Sequence, residues 1–184
     1  PTFVALLRGI NVGGTNKILM KDLVKLMEGI ACTKVKTYIQ TGNIIFQHEA
    51  TSREDMATKI RESITKSHGF TPRVMIIYPN EFKEVMSNNP FPEAAPNRLH
   101  FYFLEDVPKE PDLDILEKIK KENEEFRLLD KCFYFHAPDG MGRSKVAAKA
   151  EKVLGVPATA RNSRTVDKVM ALLNALNEEG KEKQ

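Results

Sequence analysis

The sequence is poor in cysteine and in long apolar segments. Cys32 and Cys132 form no CxxC motif and no Cys–His pair, so neither a disulfide framework nor a structural zinc site is expected. No apolar run approaches the roughly 18 residues that a membrane helix requires, and the first residues lack the basic and apolar regions of a signal peptide. We therefore expect a soluble, cytoplasmic protein with reduced thiols, no bound metal and no membrane contact.

The sequence also has little net charge, but the charge is unevenly distributed. Its 28 Lys and Arg residues outnumber its 25 Asp and Glu residues by only three, which is too few to predict nucleic-acid binding from the total. Residues 138–168 nevertheless contain seven basic and three acidic residues, whereas residues 105–125 contain nine acidic residues and four lysines. A function that depends on positive charge would therefore lie in a local cluster.

The first half of the chain alternates strand and helix patterns. Apolar or β-rich runs predict a strand over 2–8, a hairpin over 34–47 that turns near Thr41-Gly42, and a strand over 73–78. Apolar residues at helical spacing predict a helix over 19–30 and another over 51–70. The order β-α-β-β-α-β is the ferredoxin-like pattern.

The second half repeats most of this order. It predicts a strand over 98–106, a helix over 112–126, a hairpin over 126–137, and helices over 144–155 and 163–176. The fold class that follows is α+β, with two ferredoxin-like (βαββαβ-type) units, antiparallel-containing sheets and helices on one face. Gene duplication is the economical explanation, although the strand–loop–helix segments 6–27 and 133–154 are only faintly alike.

The predicted domain organisation follows from these patterns. The ferredoxin-like N-terminal unit spans 1–78, and a short helix with a proline-rich linker spans 79–97. The related C-terminal unit with an extra terminal helix spans 98–176, and a frayed tail spans 177–184.

Several residues are predicted to start, end or line helices. Ser52 and Asp55 can form a capping box, Gly69 can end the same helix, and Asn80 can cap the short helix that follows. Three glutamates are predicted on a solvated helix face: Glu122, Glu124 and Glu125.

The loop Arg8–Lys17 resembles a phosphate cradle because glycines and basic residues separate a strand from a helix. It matches neither nucleotide fingerprint. Gly9 and Gly14 have Walker spacing, but Thr15 stands where that motif needs lysine, and Gly9, Gly13 and Gly14 do not form G-x-G-x-x-G. The glycines can equally be turn residues, with Asn11 and Asn16 adopting left-handed geometry or capping the helix.

Topology predicts that this loop has a polar neighbour. In a right-handed βαβ unit the first two strands are parallel, so the loop after the first strand and the turn 40–43 lie at one sheet edge. Ligands of α/β proteins favour this carboxyl edge. The ligand-binding residues predicted there are Arg8, Asn11, Gly13, Gly14, Asn16, Lys17, Thr41 and Asn43.

A second basic group follows the last hairpin. The segment 139–145 joins a strand to a helix, and the segment 159–168 surrounds the start of the final helix, with Asn162 or Ser163 as its cap. Free N–H groups at a helix N-terminus beside basic residues favour an anion. The binding residues predicted there are Arg143, Ser144, Lys145, Arg161, Asn162 and Arg164.

Catalytic motifs are not evident. His48, His68, His100 and His136 are scattered, and only His136 lies near a candidate loop, where we interpret it as structural or solvated. There is no HExxH motif, no paired metal-ligand spacing and no G-x-S-x-G elbow. No catalytic residue, cofactor or metal is therefore predicted, and whether the protein is an enzyme stays open.

Several motifs together resemble one bacterial family. The segments ALLRGINVGGTNK, YIQTGN, NPFP, GRSK and TARNSRTVDK are similar to those of the proteins catalogued as domain of unknown function 1697. The resemblance extends from Ala5 to about Leu173. It implies a compact α/β protein of duplicated ferredoxin-like character and implies no activity.

Two functions are consistent with these observations. The leading hypothesis is that Gly-rich basic loops bind an anion, which could be a nucleotide, a phosphorylated metabolite or a nucleic-acid backbone. The alternative is a protein–protein interaction or assembly module without small-molecule chemistry. The expected partners are accordingly a small anionic ligand or a nucleic acid, and the expected state is a monomer or a small homo-oligomer.

Overall fold

The structure, a computed structural model, describes residues 1–49 and 52–184. These residues contain two four-stranded antiparallel sheets. The chain forms two compact units: the first contains 1–84 and 167–184, and the second contains 85–166. The α+β class and the duplicated ferredoxin-like arrangement are thereby confirmed.

The first unit has the predicted βαββαβ order. Its strands are β1 (Thr2–Arg8), β2 (Thr33–Tyr38), β3 (Asn43–Gln47) and β4 (Arg73–Ile77), and its helices include α1 (Met20–Gly29) and α2 (Arg53–His68). The sheet order is β2-β3-β1-β4, with every neighbouring pair antiparallel. Because β3 is antiparallel to both β1 and β2, those two strands run in parallel and end at the same sheet edge.

The first core lies between one face of this sheet and its two helices. Phe3, Ala5 and Leu7 alternate along β1 and pack with the stripe of α2 that includes Ile60 and Ile64. Ser52 Oγ accepts a hydrogen bond from Asp55 N at 3.1 Å, and the helix ends at a left-handed glycine, Gly69, as predicted. Thr51, which the prediction includes in this helix, lies outside the described residues.

The second unit has the same order, including one strand that the sequence analysis missed. Its strands are β5 (Leu99–Leu104), β6 (Glu125–Leu129), β7 (Cys132–His136) and β8 (Ala158–Asn162). Their order is β6-β7-β5-β8, again antiparallel throughout. The segment Ala-Thr-Ala-Arg-Asn has weak strand propensity. It becomes a strand because it pairs with β5, which no local pattern reveals.

Three further helices have bounds that differ from the prediction. Helix α3 (Pro79–Ser87) begins at a proline, so Asn80 lies inside its first turn and the predicted cap at Asn80 is wrong. Proline suits the first helical position because its missing N–H is not needed there. The final helix, α6 (Ser163–Glu182), continues past the predicted end at 176, since one internal glycine costs only about 1 kcal/mol.

The helix predicted over 112–126 is much shorter. Helix α4 (Asp114–Ile119) ends before the first strand of the hairpin begins at Glu125. The solvated helix face is therefore wrong, because Glu122, Glu124 and Glu125 all lie beyond α4. Glu124 is moreover only 1% exposed. Its Oε1 accepts from Lys121 N at 2.8 Å, and its Oε2 has no hydrogen-bond partner among the described residues. The carboxylate stabilises the turn into β6 instead.

The remaining helix, α5 (Lys145–Leu154), covers the second sheet. Val146, Ala150 and Leu154 recur on its inner face and pack with Tyr102 and Phe133. Its C-terminus is a left-handed glycine. No helix in the part of the chain that the structure describes is long and apolar enough to cross a membrane.

Candidate functional site: two loop edges

The loop after β1 is held closed by the side chain of Asn11. Its Nδ2 donates to Ile18 O at 3.0 Å and to Gln40 O at 2.8 Å, and its Oδ1 accepts from Ile18 N at 2.9 Å. The bond to Gln40 joins this loop to the turn that leaves β2. The two loops are thus neighbours, as predicted, and Asn11 connects them.

Two of the three glycines of this loop, Gly13 and Gly14, form the tip of a tight turn. Thr15 N donates to Val12 O at 2.9 Å, while Gly13 and Gly14 have φ of 56° and 79°, the signs that a type I′ turn requires. Asn16 has φ of 52°, and its Nδ2 donates to Gly9 O at 2.9 Å. The left-handed geometry expected as one alternative is present.

Helix capping by these asparagines is wrong. The residue that precedes α1 is Leu19, and no side chain of the described residues caps this helix. The amide groups of Asn11 and Asn16 bind loop backbone instead, because a left-handed asparagine can satisfy nearby carbonyls that the tight turn leaves open.

The turn between β2 and β3 is equally constrained. Asn43 is buried, and its Nδ2 donates to Tyr38 O at 2.8 Å and to Thr41 Oγ1 at 3.0 Å. Gly42 has φ of 91°, and a Cβ atom there would lie 2.7 Å from Leu7 Cβ. Only glycine fits this position, so the turn is fixed against the end of β1.

Besides polar residues such as Thr15, Gln40 and Thr41, this edge exposes basic and aliphatic side chains. Arg8 and Lys17 are exposed, and so are Val12 at 61%, Leu19 at 56% and Ile39 at 48%. The aliphatic residues are neighbours in sequence of Asn11 or of the residues whose carbonyls it binds. Sequence analysis did not identify this apolar character, because Val12 and Ile39 appear in it only as members of a loop and a hairpin.

In the second unit, three segments meet at one edge of the sheet. Ala137 N donates to Arg98 O at 2.9 Å, and Arg164 N donates to Pro96 O at 3.3 Å. Arg98 also packs on the loop after β7, because its Nη1 lies 2.6 Å from the position that a Cβ atom would take at Gly140. The start of β5 therefore contacts both the loop before α5 and the start of α6.

Two helices begin at this edge, and both have polar caps. Ser144 Oγ accepts from Ala147 N at 3.1 Å at the start of α5, and Asn162 Oδ1 accepts from Thr165 N at 2.9 Å at the start of α6. Strands β7 and β8 are both antiparallel to β5, so they end at the same edge. The positive ends of two helix dipoles are consequently brought together.

Exposure separates the predicted basic residues of this edge. Arg143, Lys145 and Arg164 are exposed and Arg98 is half-buried, so these four side chains can meet a ligand. Arg161 is buried, and its Nη1 donates to Ala160 O at 2.9 Å. Burial lowers the pKa of Arg161 to about 10. Strand alternation turns Arg161 away from the face that carries Ala160 and Asn162.

His100 also belongs to this edge. It pairs with Asn162 in the register of β5 and β8. Burial, and secondly the positive charge of Arg98, lower the pKa of His100. Neither Arg98 nor His100 is among the predicted binding residues, although Arg98 is the first basic residue after the proline-rich linker and the first residue of the predicted strand.

A groove of about 400 Å³ lies elsewhere in the second unit. It is lined by Phe91 and Phe126 together with Lys120, Glu124 and Arg127. The groove contains none of the predicted binding residues. Nor do the described residues include a group of three or more His, Cys, Asp or Glu side chains that could hold a metal ion.

Comparison with known proteins identifies the family and the fold. The family described as "Protein of unknown function (DUF1697)" matches residues 1–134, so the chain belongs to this family. The motifs GRSK and TARNSRTVDK lie beyond the matched residues. No curated protein matches the chain at a significant level.

One solved structure is similar along nearly the whole chain. It is the conserved bacterial protein SP0830 from Streptococcus pneumoniae, with a TM-score of 0.67 and 24% sequence identity. The match covers 94% of this chain and 98% of that one. At this identity the similarity establishes the fold alone.

Proposed function

We propose that this member of the DUF1697 family binds a phosphate-bearing anion at the edge of its second unit where α5 and α6 begin. The observation that carries the proposal is the position of two capped helix N-termini at one sheet edge, together with Arg98, which packs against the loop that precedes α5. Arg143, Lys145 and Arg164 add exposed positive charge around the same edge.

Backbone and side-chain groups have complementary roles in this proposal. Unpaired N–H groups of a helix's first turn bind phosphate oxygens, and the dipole favours negative charge. A guanidinium adds a planar pair of donors for two oxygens. Asp139 is the acidic residue in the loop before α5. One of its carboxylate oxygens accepts a hydrogen bond from Asn123 Nδ2 at 3.2 Å, so the carboxylate is partly engaged in that contact.

The first unit is a weaker candidate for the same ligand. The side-chain amides of Asn11, Asn16 and Asn43 are engaged with their own loops, which leaves Arg8 and Lys17 as the exposed charged groups of that predicted set. The proposal therefore assigns the anion to the second unit.

Thermal unfolding in the presence of inorganic phosphate, ADP and glucose 6-phosphate tests this assignment. An anion at 100 times its dissociation constant stabilises the folded state by about 2.7 kcal/mol, which raises Tm by roughly 5–10 °C for a chain of this length. Arg98→Ala and Lys145→Ala should abolish the shift. The matched control is Lys152→Ala, which removes one charge at the other end of α5, and Arg8→Ala reports on the first unit.

Two results would contradict the proposal. One is the lack of any shift with all three anions, and the other is an equal loss of the shift in Lys152→Ala. The salt dependence of the affinity distinguishes a nucleic acid from a small anion. Each phosphate neutralised on duplex DNA contributes roughly −0.9 to the slope of log affinity against log salt concentration.

A further inference from the structure

The structure points to a second, separate function: we propose that the loop edge of the first unit docks an acidic, aliphatic-rich segment of a partner protein. This edge, called the apolar-basic edge below, consists of residues 8–22, 38–43 and 66–73. The inference goes beyond anion binding, since it concerns another unit and another class of partner.

Three exposed aliphatic residues lie on this edge next to backbone groups that the side chain of Asn11 holds together. Asn11 Nδ2 binds the carbonyl before Leu19 and the carbonyl after Ile39, and Val12 follows Asn11 directly in the chain. Six large apolar side chains of the described residues are exposed, and three of them are these. Single exposed apolar residues are ordinary, but a group of them marks an interaction surface.

The apolar-basic edge is preorganised for binding. Ile39 has φ of 48°, a conformation that is rare and strained for a β-branched residue. Its side chain is half exposed, so packing within the unit does not explain why isoleucine stands there. Strained residues persist where the surrounding structure fixes them and often serve function. A surface that is already ordered loses less entropy when it binds.

The charge of this edge selects the partner. Its three segments contain five Lys or Arg residues and one acidic residue, Asp22. Lys17, Lys21 and Lys66 are exposed. The segments share one edge because Arg73, at the start of β4, is paired with Arg8 at the end of β1. A complementary partner carries Asp or Glu interleaved with Leu, Ile or Val.

The chemistry favours protein over nucleic acid. Single-stranded nucleic acids bind to aromatic side chains on which bases stack. The exposed large apolar residues here are Val12, Leu19 and Ile39, whose aliphatic side chains offer no stacking surface. The aromatic residues of the edge, Tyr38 and Phe70, are half-buried. Arrangements of exposed aliphatic anchors inside a charged rim are typical of peptide and protein docking.

Selection from a random dodecapeptide library on the immobilised full-length protein tests the proposal. We expect enriched peptides to contain several Asp or Glu residues together with Leu, Ile or Val. A chosen synthetic peptide should bind Leu19→Asp and Lys17→Glu at least tenfold more weakly than the unmodified protein. The matched control is Val107→Asp, because Val107 is 48% exposed and lies in the second unit.

Ile39→Asn separates docking from a merely structural role. Asparagine tolerates left-handed geometry, so this variant should unfold at a higher temperature and yet bind the peptide more weakly. A higher unfolding temperature with unchanged peptide binding would show that Ile39 has no part in docking and would overturn the proposed surface.

Other outcomes also overturn the proposal. Selection that enriches no peptide, or only neutral or basic ones, excludes an acidic segment as the partner. Equal binding to Leu19→Asp and Val107→Asp places the contact elsewhere. Binding of a fifteen-residue uridine oligonucleotide that is lost in Lys17→Glu but retained in Leu19→Asp would assign the edge to nucleic acid instead.

Discussion

In the first unit the glycine-containing loop after β1 folds back on its own backbone through Asn11, whereas in the second unit the loop after β7 leads into a capped helix beside Arg98. The first arrangement uses its polar side chains internally and exposes aliphatic ones. The second satisfies its first helical turn with Ser144 and leaves basic residues exposed. Similar residue types thus give an apolar-basic surface in one unit and, in the other, the edge for which we propose anion binding.

Topology explains why the two loops differ. The counterpart of the β1–α1 connection in the second unit is β5–α4, and the counterpart of β7–α5 in the first unit is β3–α2. Segments 6–27 and 133–154, which are faintly alike, therefore occupy positions in the two units that are not equivalent. Glycine followed by a polar residue and lysine is a local solution to starting a helix, and it can arise at either position.

The largest effect is expected from a pair of glycines with the same backbone conformation. Gly42 and Gly140 have φ of 91° and 90°, so alanine adds similar backbone strain of about 1–2 kcal/mol at each. At Gly42 the new Cβ meets Leu7 Cβ at 2.7 Å and Ile10 Cδ1 at 2.9 Å, which adds roughly 1–3 kcal/mol of overpacking. At Gly140 it meets the movable end of Arg98. Urea unfolding of both variants measures the difference.

We therefore expect Gly42→Ala to be destabilised by about 3–4 kcal/mol and Gly140→Ala by about 1–2 kcal/mol. Equal losses would mean that crowding against β1 is unimportant. Gly140→Ala has a second readout, since displacement of the Arg98 guanidinium should weaken phosphate binding while leaving the docking peptide unaffected.

An intermediate effect is expected from the two side chains that organise the loops. Asn11→Ala removes three hydrogen bonds to loop backbone, each with a net value of about 1 kcal/mol, and should reduce the free energy of unfolding by about 2–3 kcal/mol. Ser144→Ala removes one helix cap and should cost about 1 kcal/mol. Denaturant unfolding at a fixed temperature compares them. If Ser144→Ala lost more unfolding free energy than Asn11→Ala, the loop before α5 would be the more constrained one, and not the loop after β1.

The smallest effect concerns pH. Unfolded chains take up a proton on histidine near pH 6.5, whereas the lowered pKa of His100 keeps its folded imidazole neutral to lower pH. The unfolded state then binds more protons, so the free energy of unfolding falls as the pH drops below about 6.5. His100→Gln should lose this part of the pH dependence.

An NMR titration connects this effect with the proposed function. Arg98→Ala removes one of the two causes of the shift and should raise the pKa of His100. Bound phosphate beside Arg98 should raise it in the unmodified protein as well. If saturating phosphate leaves the titration of His100 unchanged although phosphate binds, the anion lies at another place.

Much of the fold was predictable from local pattern. The continuous apolar run at β1, the hairpin turn at Thr41-Gly42, and the Ser52 cap with its Gly69 terminus are determined by residues within a few positions of each other. The prediction failed where contacts between residues distant in sequence decide the local structure. Strand β8 depends on β5, and Glu124 is buried because α4 ends early and the chain turns into β6.

The candidate site was predictable only in part. Ser144 and Asn162 were predicted at the starts of their helices, and the capping contacts are present. Arg161 was grouped with them because it is adjacent in sequence, but strand alternation buries it. Arg98 was missed because its neighbour in space, Gly140, is more than forty residues away in the chain.

By itself the sequence determined the βαββαβ order of the first unit, all but the last strand of the second, and the positions of several glycines and caps, because these depend on short-range periodicity and on backbone conformations that few residues adopt. Only the tertiary structure decided which polar groups were free for a partner. Asn11, Asn16 and Asn43 bind their own loops, while Arg98 packs on the loop before α5, which is remote from it in sequence. The difference arises because hydrogen bonds and burial depend on which strands pair.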